Sequence, residues 1–158
     1  MKFSLVTVTF NSARTFRDTI NSVLSQTYQD LEYIIVDGLS SDGTVEIIKE
    51  YESLFCGRMK WISEKDYGLY DAMNKGFRMA TGEIVGIINS DDLIADPAAI
   101  EKVVKCFEDD GSIDAVYADL YYVAQNDTSK IVRHWKSRKQ RSFTKGWHPA
   151  HPTFYVKR

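Results

Sequence analysis

Two adjacent carboxylates, Asp91 and Asp92, follow the near-continuous apolar run Ile84-Val-Gly-Ile-Ile88, separated from it by Asn89 and Ser90. Neighbouring carboxylates at the end of a buried strand repel each other and are costly to desolvate. A divalent cation relieves that cost. Oxygen ligands of this kind suit Mg²⁺ or Mn²⁺, which keep positions open for water and phosphate oxygens. Such an ion neutralises charge building on a diphosphate leaving group. An isolated Asp-Asp pair more often caps nearby amides in a turn; here its place at a strand end facing Asp37 favours the metal.

Asp37 closes the second apolar run, Leu31-Glu-Tyr-Ile-Ile-Val36, and is followed by Gly38. Its carboxylate suits an N–H of a nucleobase or a ribose hydroxyl, although a strand-terminal Asp-Gly turn explains it equally. Asp66, two residues before Gly68, carries the same pair of readings. There is no GxGxxG and no GxxxxGK[ST], so a Gly-rich cradle at a helix N-terminus does not hold the phosphate. Metal and side chains must do that work. Trp147-His148-Pro149-Ala150-His151-Pro152 is rigid and aromatic. It either stacks on a sugar and hydrogen-bonds a phosphate or is a structured loop, and spacing alone does not choose.

The elements that must position these groups alternate. Phe3–Phe10 is β-branched and aromatic, as in a strand. Phe16, Ile20, Val23 and Leu24 then repeat at helical spacing. After the second strand, a helix follows Asp42-Gly43-Thr44 with Ile47, Ile48, Tyr51, Leu54 and Phe55 inward. Met59–Ser63 is a short strand. The third helix spans Leu69–Ala80, its inner face Ala72, Met73, Gly76 and Ala80 implying close packing, and Gly82 is suited to stopping it. The run from Ile84 reads as a central strand covered on both faces. Asp96-Pro97 opens a fourth helix with the stripe Ile100, Val103, Val104 and Phe107. Ala115–Val123 is a fifth strand candidate. This β-α-β-α order predicts an α/β fold with a mostly parallel central sheet and helices on both faces, binding its ligand outside the carboxyl ends of the strands.

With 158 residues, 44% hydrophobic and 27% charged, the chain suits one domain with a real core, which sets aside disordered and fibrous classes. The net charge of −2 hides an asymmetry: all 22 acidic residues lie at or before Asp127, and residues 128–158 carry nine Lys and Arg. That basic segment faces an anion (a phosphate, a membrane surface or the acidic body itself) or is simply solvated. Cys56 and Cys106 show no metal-binding spacing, and Cys106 reads as a small core residue. No signal peptide or membrane-length apolar stretch is visible, so the sequence predicts a reduced, cytoplasmic setting.

Read in order, Val6-Thr-Val-Thr-Phe-Asn11, Ser22-Val-Leu-Ser-Gln-Thr-Tyr28, Glu32-Tyr-Ile-Ile-Val-Asp-Gly-Leu-Ser-Ser-Asp-Gly-Thr44, Glu64-Lys-Asp-Tyr-Gly-Leu-Tyr-Asp-Ala-Met-Asn-Lys-Gly76, Ala80-Thr-Gly82, Ile87-Ile-Asn-Ser-Asp-Asp-Leu93 and His151-Pro-Thr-Phe-Tyr155 resemble the family-2 glycosyltransferases of the GT-A (Rossmann-like) fold, especially those of bacterial capsule, exopolysaccharide and colanic-acid clusters. The resemblance implies that Thr9 and Asn11 line a nucleotide pocket, that Asp37 binds the base, usually uracil, and that Asp66 contacts the nucleoside. Asp91 and Asp92 match the metal and diphosphate motif, with Asp92 the principal metal ligand. Asn89 stands where many members have another Asp, and His148 and His151 fall on the acceptor side.

The implied reaction moves a sugar from a nucleoside-diphosphate donor, UDP above all, to a glycan or lipid-linked acceptor with inversion, aided by Mn²⁺ or Mg²⁺. Residues 1–127 would be the nucleotide-sugar-binding domain. Residues 128–158 would be a basic segment beginning an acceptor-side region that breaks off, with peripheral contact to the inner face of the membrane. Nucleic acid is not an expected partner. Members take their catalytic base from a carboxylate well after the His-Pro segment, and no acid follows Asp127, so the base is not found in this chain. A donor-binding fragment or inactive nucleotide-binding module is the alternative. A phosphoacceptor receiver domain would need its acidic pair after strand one, where Asn11 stands. A nucleotidyltransferase would need a Gly-rich basic loop, which is absent.

Overall fold

The computed structural model describes residues 1–140, 142, 144 and 146–158; Arg141 and Lys145 of the basic segment lie outside the described residues. The elements run β1 (Phe3–Thr9), α1 (Ala13–Leu24), β2 (Leu31–Asp37), α2 (Thr44–Glu52), β3 (Met59–Ser63), α3 (Leu69–Met79), β4 (Ile84–Ile87), α4 (Ala99–Asp109), β5 (Ala115–Val116), β6 (Leu120–Ala124), β7 (Asp127–Trp135) and β8 (Tyr155–Lys157). The main sheet has the order β3-β2-β1-β4-β8-β5. Its first four strands are parallel, and β8 lies antiparallel between β4 and β5.

Every residue of β1 and β2 is buried, as apolar runs sandwiched between two helical layers require. On one face Phe3, Leu5, Tyr33 and Ile35 pack with Phe16 and Ile20 of α1, Ile47 and Ile48 of α2, and Ile100 and Val104 of α4. On the other face α3 covers Val6, Val8, Ile34 and Val36 through Ala72 and the Met79–Ala80 end. The expected α/β layering with a mostly parallel sheet is therefore what the chain forms.

The small residues of α3 have a geometric cause. A Cβ on Gly76 would sit 2.3 Å from Cγ1 of Val6, so the helix can approach β1 only without one. Gly76→Ala should therefore cost about 1–3 kcal/mol through overpacking, seen as a lowered midpoint in chemical denaturation.

Several local expectations change. Gly82 does not stop α3: the helix ends at Ala80 in extended conformation, and Gly82 instead lets the chain pass against Lys2 and Ser4. α4 begins at Ala99 rather than at Pro97, because Asp96 caps a preceding turn by accepting the Ala98 amide at 2.9 Å. Leu54, expected inward, is 53% exposed, since α2 gives way to a 3₁₀ turn over Ser53–Phe55 that swings Phe55 into the core instead. Cys106 is exposed, as is Cys56, so Cys106 is not a core residue.

The single fifth strand divides. Ala115–Val116 joins the main sheet, while Leu120–Ala124 leaves to form an antiparallel hairpin with β7. The boundary expected at 127 falls at the first residue of β7, inside that hairpin, and the basic segment returns to the main sheet through β8. Among the described residues no helix is long and apolar enough to cross a membrane.

Candidate functional site

The sheet order places the tips of β3, β2, β1 and β4 side by side along one edge, so four loops share a single rim. Asp37 ends β2 directly opposite Thr9 of β1. It is fully buried and both of its oxygens are engaged: Ser40 donates its amide at 3.0 Å and its hydroxyl, and Ser63 at the tip of β3 donates its hydroxyl at 2.6 Å. Ser40 Oγ in turn accepts the Asn11 amide at 2.8 Å, and Asn11 Oδ1 accepts the Ser41 amide at 2.9 Å. Asn11 adopts the left-handed region at φ 50°, which asparagine tolerates and which turns β1 sharply into α1. Thr9, also buried, finds no hydrogen-bond partner for Oγ1 among the described residues.

Asp66 belongs to the same cluster. A Cβ on Gly38 would meet Asp66 Oδ2 at 2.6 Å and the Phe10 ring at 3.4 Å, so the glycine is the surface on which both rest. The Gly68 amide donates to the other oxygen of Asp66 at 2.9 Å. Asn11, Asp37 and Asp66 are thereby brought together, with an exposed aromatic ring, Phe10, beside them.

The loop after β4 is tied to this cluster through serines. Ser12 and Ser90 share a hydrogen bond at 2.9 Å, and Thr15 donates to the Ser90 carbonyl at 3.0 Å. Asp42 fastens the rear of the rim, accepting the Ala13 amide at 2.9 Å and the Thr44 amide at 3.1 Å. Its carboxyl is held below the usual range, first by the Thr44 hydroxyl and then by the Ala13 amide. One side chain thus fixes the starts of α1 and α2.

Asp91 and Asp92 follow Ser90, Asp91 exposed and Asp92 half-buried. Burial pushes the Asp92 carboxyl above the usual range; Asn89 donates to it and lowers it, Asp91 raises it again, and the charge of His151 lowers it. The Asn89 contact is 2.7 Å from Nδ2 to Asp92 Oδ2. The residue occupying the place of a third carboxylate is therefore a neutral donor that orients the one beside it. His151 reaches Asp92 because its 3₁₀ turn, His151–Thr153, packs against β4.

His148 lies with its ring 6.0 Å from that of Trp135, in a cavity lined by the hairpin. Among the described residues no three His, Cys, Asp or Glu gather into a metal-holding group. A hard cation at this rim would rest on Asp92, with Asp91 beside it, and be completed by water and phosphate oxygens rather than by a closed protein cage. The under-compensated Asp92 carboxylate is the observation that such an ion would satisfy.

Comparison with known proteins agrees with this arrangement. Residues 4–156 match the sequence profile described as "Glycosyl transferase family 2". The chain belongs to glycosyl transferase family 2. An uncharacterized glycosyltransferase of Nostoc sp. is 35% identical over 108 residues, covering 68% of this chain and 33% of its own length. Among solved structures, a mannosyltransferase from Pyrobaculum calidifontis in complex with GDP-Man and Mn²⁺ aligns with a TM-score of 0.68 and 25% identity, over 81% of this chain and 37% of that one. TarS of S. aureus in complex with UDP-GlcNAc aligns with a TM-score of 0.70 and 24% identity, over 80% of this chain and 36% of that one. These glycosyltransferase neighbours carry the GT-A fold, and this family-2 domain shares it. The chain spans between a third and about half of the length of the curated relatives it matches.

The strand ends carry Ser12 and Ser90, but the strand-end reading passed over Ser40 and Ser63; these four serines are the links between loops. Ser40 and Ser90 sit inside the motifs that carry the resemblance, but a serine's type does not reveal which carboxylate or hydroxyl it will meet. Replacing Asn89 with alanine removes the donor that offsets Asp92's burial. A Mn²⁺–UDP complex held at this rim would bind that variant roughly tenfold more weakly, the scale of one hydrogen bond to a charged group. Its binding should also fade at higher pH on acidification, because the cation needs ionised Asp92 and the pKa has moved further up. Titrating Mn²⁺–UDP affinity against pH checks both.

Proposed function

We propose that this family-2 domain binds a nucleoside-diphosphate sugar, with UDP as the preferred nucleotide. It then supplies the donor half of an inverting transfer to a glycan or lipid-linked acceptor. The observation that carries the reading is Asp92: a half-buried carboxylate with its pKa raised, in the loop that follows a central strand, oriented by Asn89 and felt by His151. A mannosyltransferase of related structure binds its sugar nucleotide together with Mn²⁺, which supports a cation here.

Asp92, with Asp91 beside it, would hold Mn²⁺ or Mg²⁺. Bound there, the ion would offset charge on the diphosphate as the glycosidic bond breaks. The chain's own groups divide the remaining work. Asp37 ends β2 and Asp92 lies in the loop after β4, the two strands that flank β1 roughly 10 Å apart at two strand spacings, which leaves room for a nucleoside between the two loops. Ser40 and Ser63 fix the Asp37 carboxylate in place, and a base N–H would take an acceptor position on Oδ1 as the Ser40 hydroxyl turns aside. Asn11 and Asp66 line the ribose side, and exposed Phe10 offers a face for the base.

The acceptor hydroxyl must lose a proton as it attacks, and the donor reading does not depend on which group takes it. A thermal-shift panel of nucleoside diphosphates with and without Mn²⁺ tests the donor reading. UDP with Mn²⁺ should raise the melting temperature well above either alone, and no increment with any nucleotide would refute it. Sugar transfer measured in parallel separates turnover from binding.

A further inference from the structure

The sequence left open which anion the basic segment faces, and the fold narrows it. β7 and the 146–149 turn enclose a cavity of about 650 Å³ lined by Arg133, Trp135, Lys136, Arg138, Trp147 and His148, among others. It is separate from the strand-tip rim. Its cations form no close ion pair: among the described residues no carboxylate lies within 4.0 Å of the charged group of Arg133, Lys136 or Arg138, and only the longer-range charge of Asp119 is felt, by Lys136. Asp119 is the nearby acid, and it is already engaged by the Ser137 amide at 2.8 Å and by His134 at 2.8 Å.

The aromatic walls are braced. The Arg138 carbonyl accepts the Tyr117 hydroxyl at 3.1 Å and the Trp147 indole N–H at 3.4 Å, and the Tyr117 and Trp147 rings meet edge-on at 5.6 Å. Arg133 lies over the Trp135 ring at 5.6 Å and the Tyr122 ring at 5.5 Å, which holds its guanidinium at the cavity wall. Flat aromatic faces suit the apolar faces of a sugar ring, and guanidinium forks suit phosphate oxygens. The volume is that of a small-molecule site.

Connectivity gives the cavity its direction. Pro149 lines it, Ala150 is buried, and His151 is already within electrostatic reach of Asp92. Two residues thus separate the basic-aromatic cavity from the donor carboxylates.

We propose that this cavity binds a phosphate-bearing sugar, the anionic end of the acceptor, and presents it to the donor edge. Its role as an acceptor site rests on the donor reading above; its ligand chemistry does not. The phosphate could belong to a soluble phosphoglycan or to a polyprenyl-linked sugar, and both present the same group.

The test uses a Trp61→Phe background, so that the remaining tryptophans, Trp135 and Trp147, report the cavity by fluorescence. Glucose 1-phosphate should change the signal saturably, and methyl glucoside at the same concentration should not. Arg133→Gln with Arg138→Gln should weaken glucose 1-phosphate at least tenfold while keeping the Mn²⁺–UDP thermal shift, which also shows that the variant folds. Lys136→Gln alone should weaken it several-fold. Phosphatidylcholine vesicles carrying a polyprenyl-phosphate sugar separate the two sources: capture by them beyond bare vesicles assigns the lipid-linked one, and binding of glucose 1-phosphate alone the soluble one. An equal response to methyl glucoside, indifference to the double variant, or loss only in Asp92→Asn would overturn the proposal. Equal capture by plain phosphatidylglycerol vesicles, uncompeted by glucose 1-phosphate, would overturn it in favour of a membrane surface. A parent protein with no Mn²⁺–UDP shift would sink the donor reading and leave the cavity to be judged by glucose 1-phosphate alone.

Discussion

Asp92→Asn should lose the Mn²⁺-dependent part of UDP binding, a fall of about 3 kcal/mol or roughly a hundredfold, while the ligand-free protein melts no lower than the parent. The two halves of this expectation share one cause. Burial raises the Asp92 pKa, which means that the folded protein resists ionising it. An acid whose folded pKa lies above its unfolded value opposes folding once both states are ionised, so the ligand-free parent gives up stability as pH rises through that interval. Asparagine keeps the shape and an acceptor for the Asn89 amide, and removes the charge. The variant should therefore lack that pH-dependent loss and lack the cation. A lowered melting temperature with metal binding intact would mean that Asp92 is a turn-capping residue. Isothermal titration of Mn²⁺ into protein with UDP, beside melting curves from pH 4 to 8, measures both, and the expected pairing is the stability–function trade of a binding site.

The second large effect lies at the opposite end of the sheet. Glu32→Ala should destabilise the fold by about 3–5 kcal/mol, a drop in melting temperature on the order of 10 °C, without altering Mn²⁺–UDP binding per folded molecule. Glu32 is 3% exposed, on the face covered by α3. Its Oε1 accepts the Ser4 hydroxyl and the Thr81 amide, each at 2.5 Å, and the Gly82 amide at 3.2 Å. Its Oε2 lies 3.0 Å from both Lys2 and Lys60. One carboxylate thus joins β1, β2, β3 and the turn before β4.

The lysines are well exposed and contribute little each. The weight lies with the buried hydroxyl and amides, which alanine would leave unpaired. Burial pushes the Glu32 carboxyl up, but the Ser4 hydroxyl, the Thr81 amide and the two lysines outweigh it and hold it far below the usual range. A depressed folded pKa contributes stability that is complete above the unfolded value, about 4.3, and is lost as pH falls below it. Glu32→Gln should accordingly remove that acid-sensitive component, visible as a flatter dependence of melting temperature on pH below about 5.

What the sequence made legible follows its periodicity. Buried parallel strands and amphipathic helices write themselves as apolar runs and stripes, so β1 to β4 and α1 to α4 were readable. So was the rim, because residues that end buried strands must surface at one edge. The failures share a different cause. Cys106 and Leu54 look apolar enough for a core, yet their orientation is set by where a helix turns or ends. Gly82 is small because Ser4 and Lys2 lie against it, a contact made across about 80 residues of chain. β8 lies far in sequence from β4 and β5, and its insertion between them leaves no local signal, nor does the departure of β6 into a hairpin. Glu32 reads as an ordinary strand residue, because its partners come from three other segments. At the rim, Asp91 and Asp92 were visible as types, whereas Asn89's hold on Asp92 and His151's approach depend on how the His151–Thr153 turn packs.

A crystal structure with UDP and Mn²⁺ tests the central claim most directly. The account predicts one ion bridging the Asp92 carboxylate and the diphosphate, with uracil turned toward Asp37 and the ribose toward Asn11 and Asp66. Nucleotide bound elsewhere, or Asp91 and Asp92 both facing away from an empty rim at saturating ligand, would contradict it.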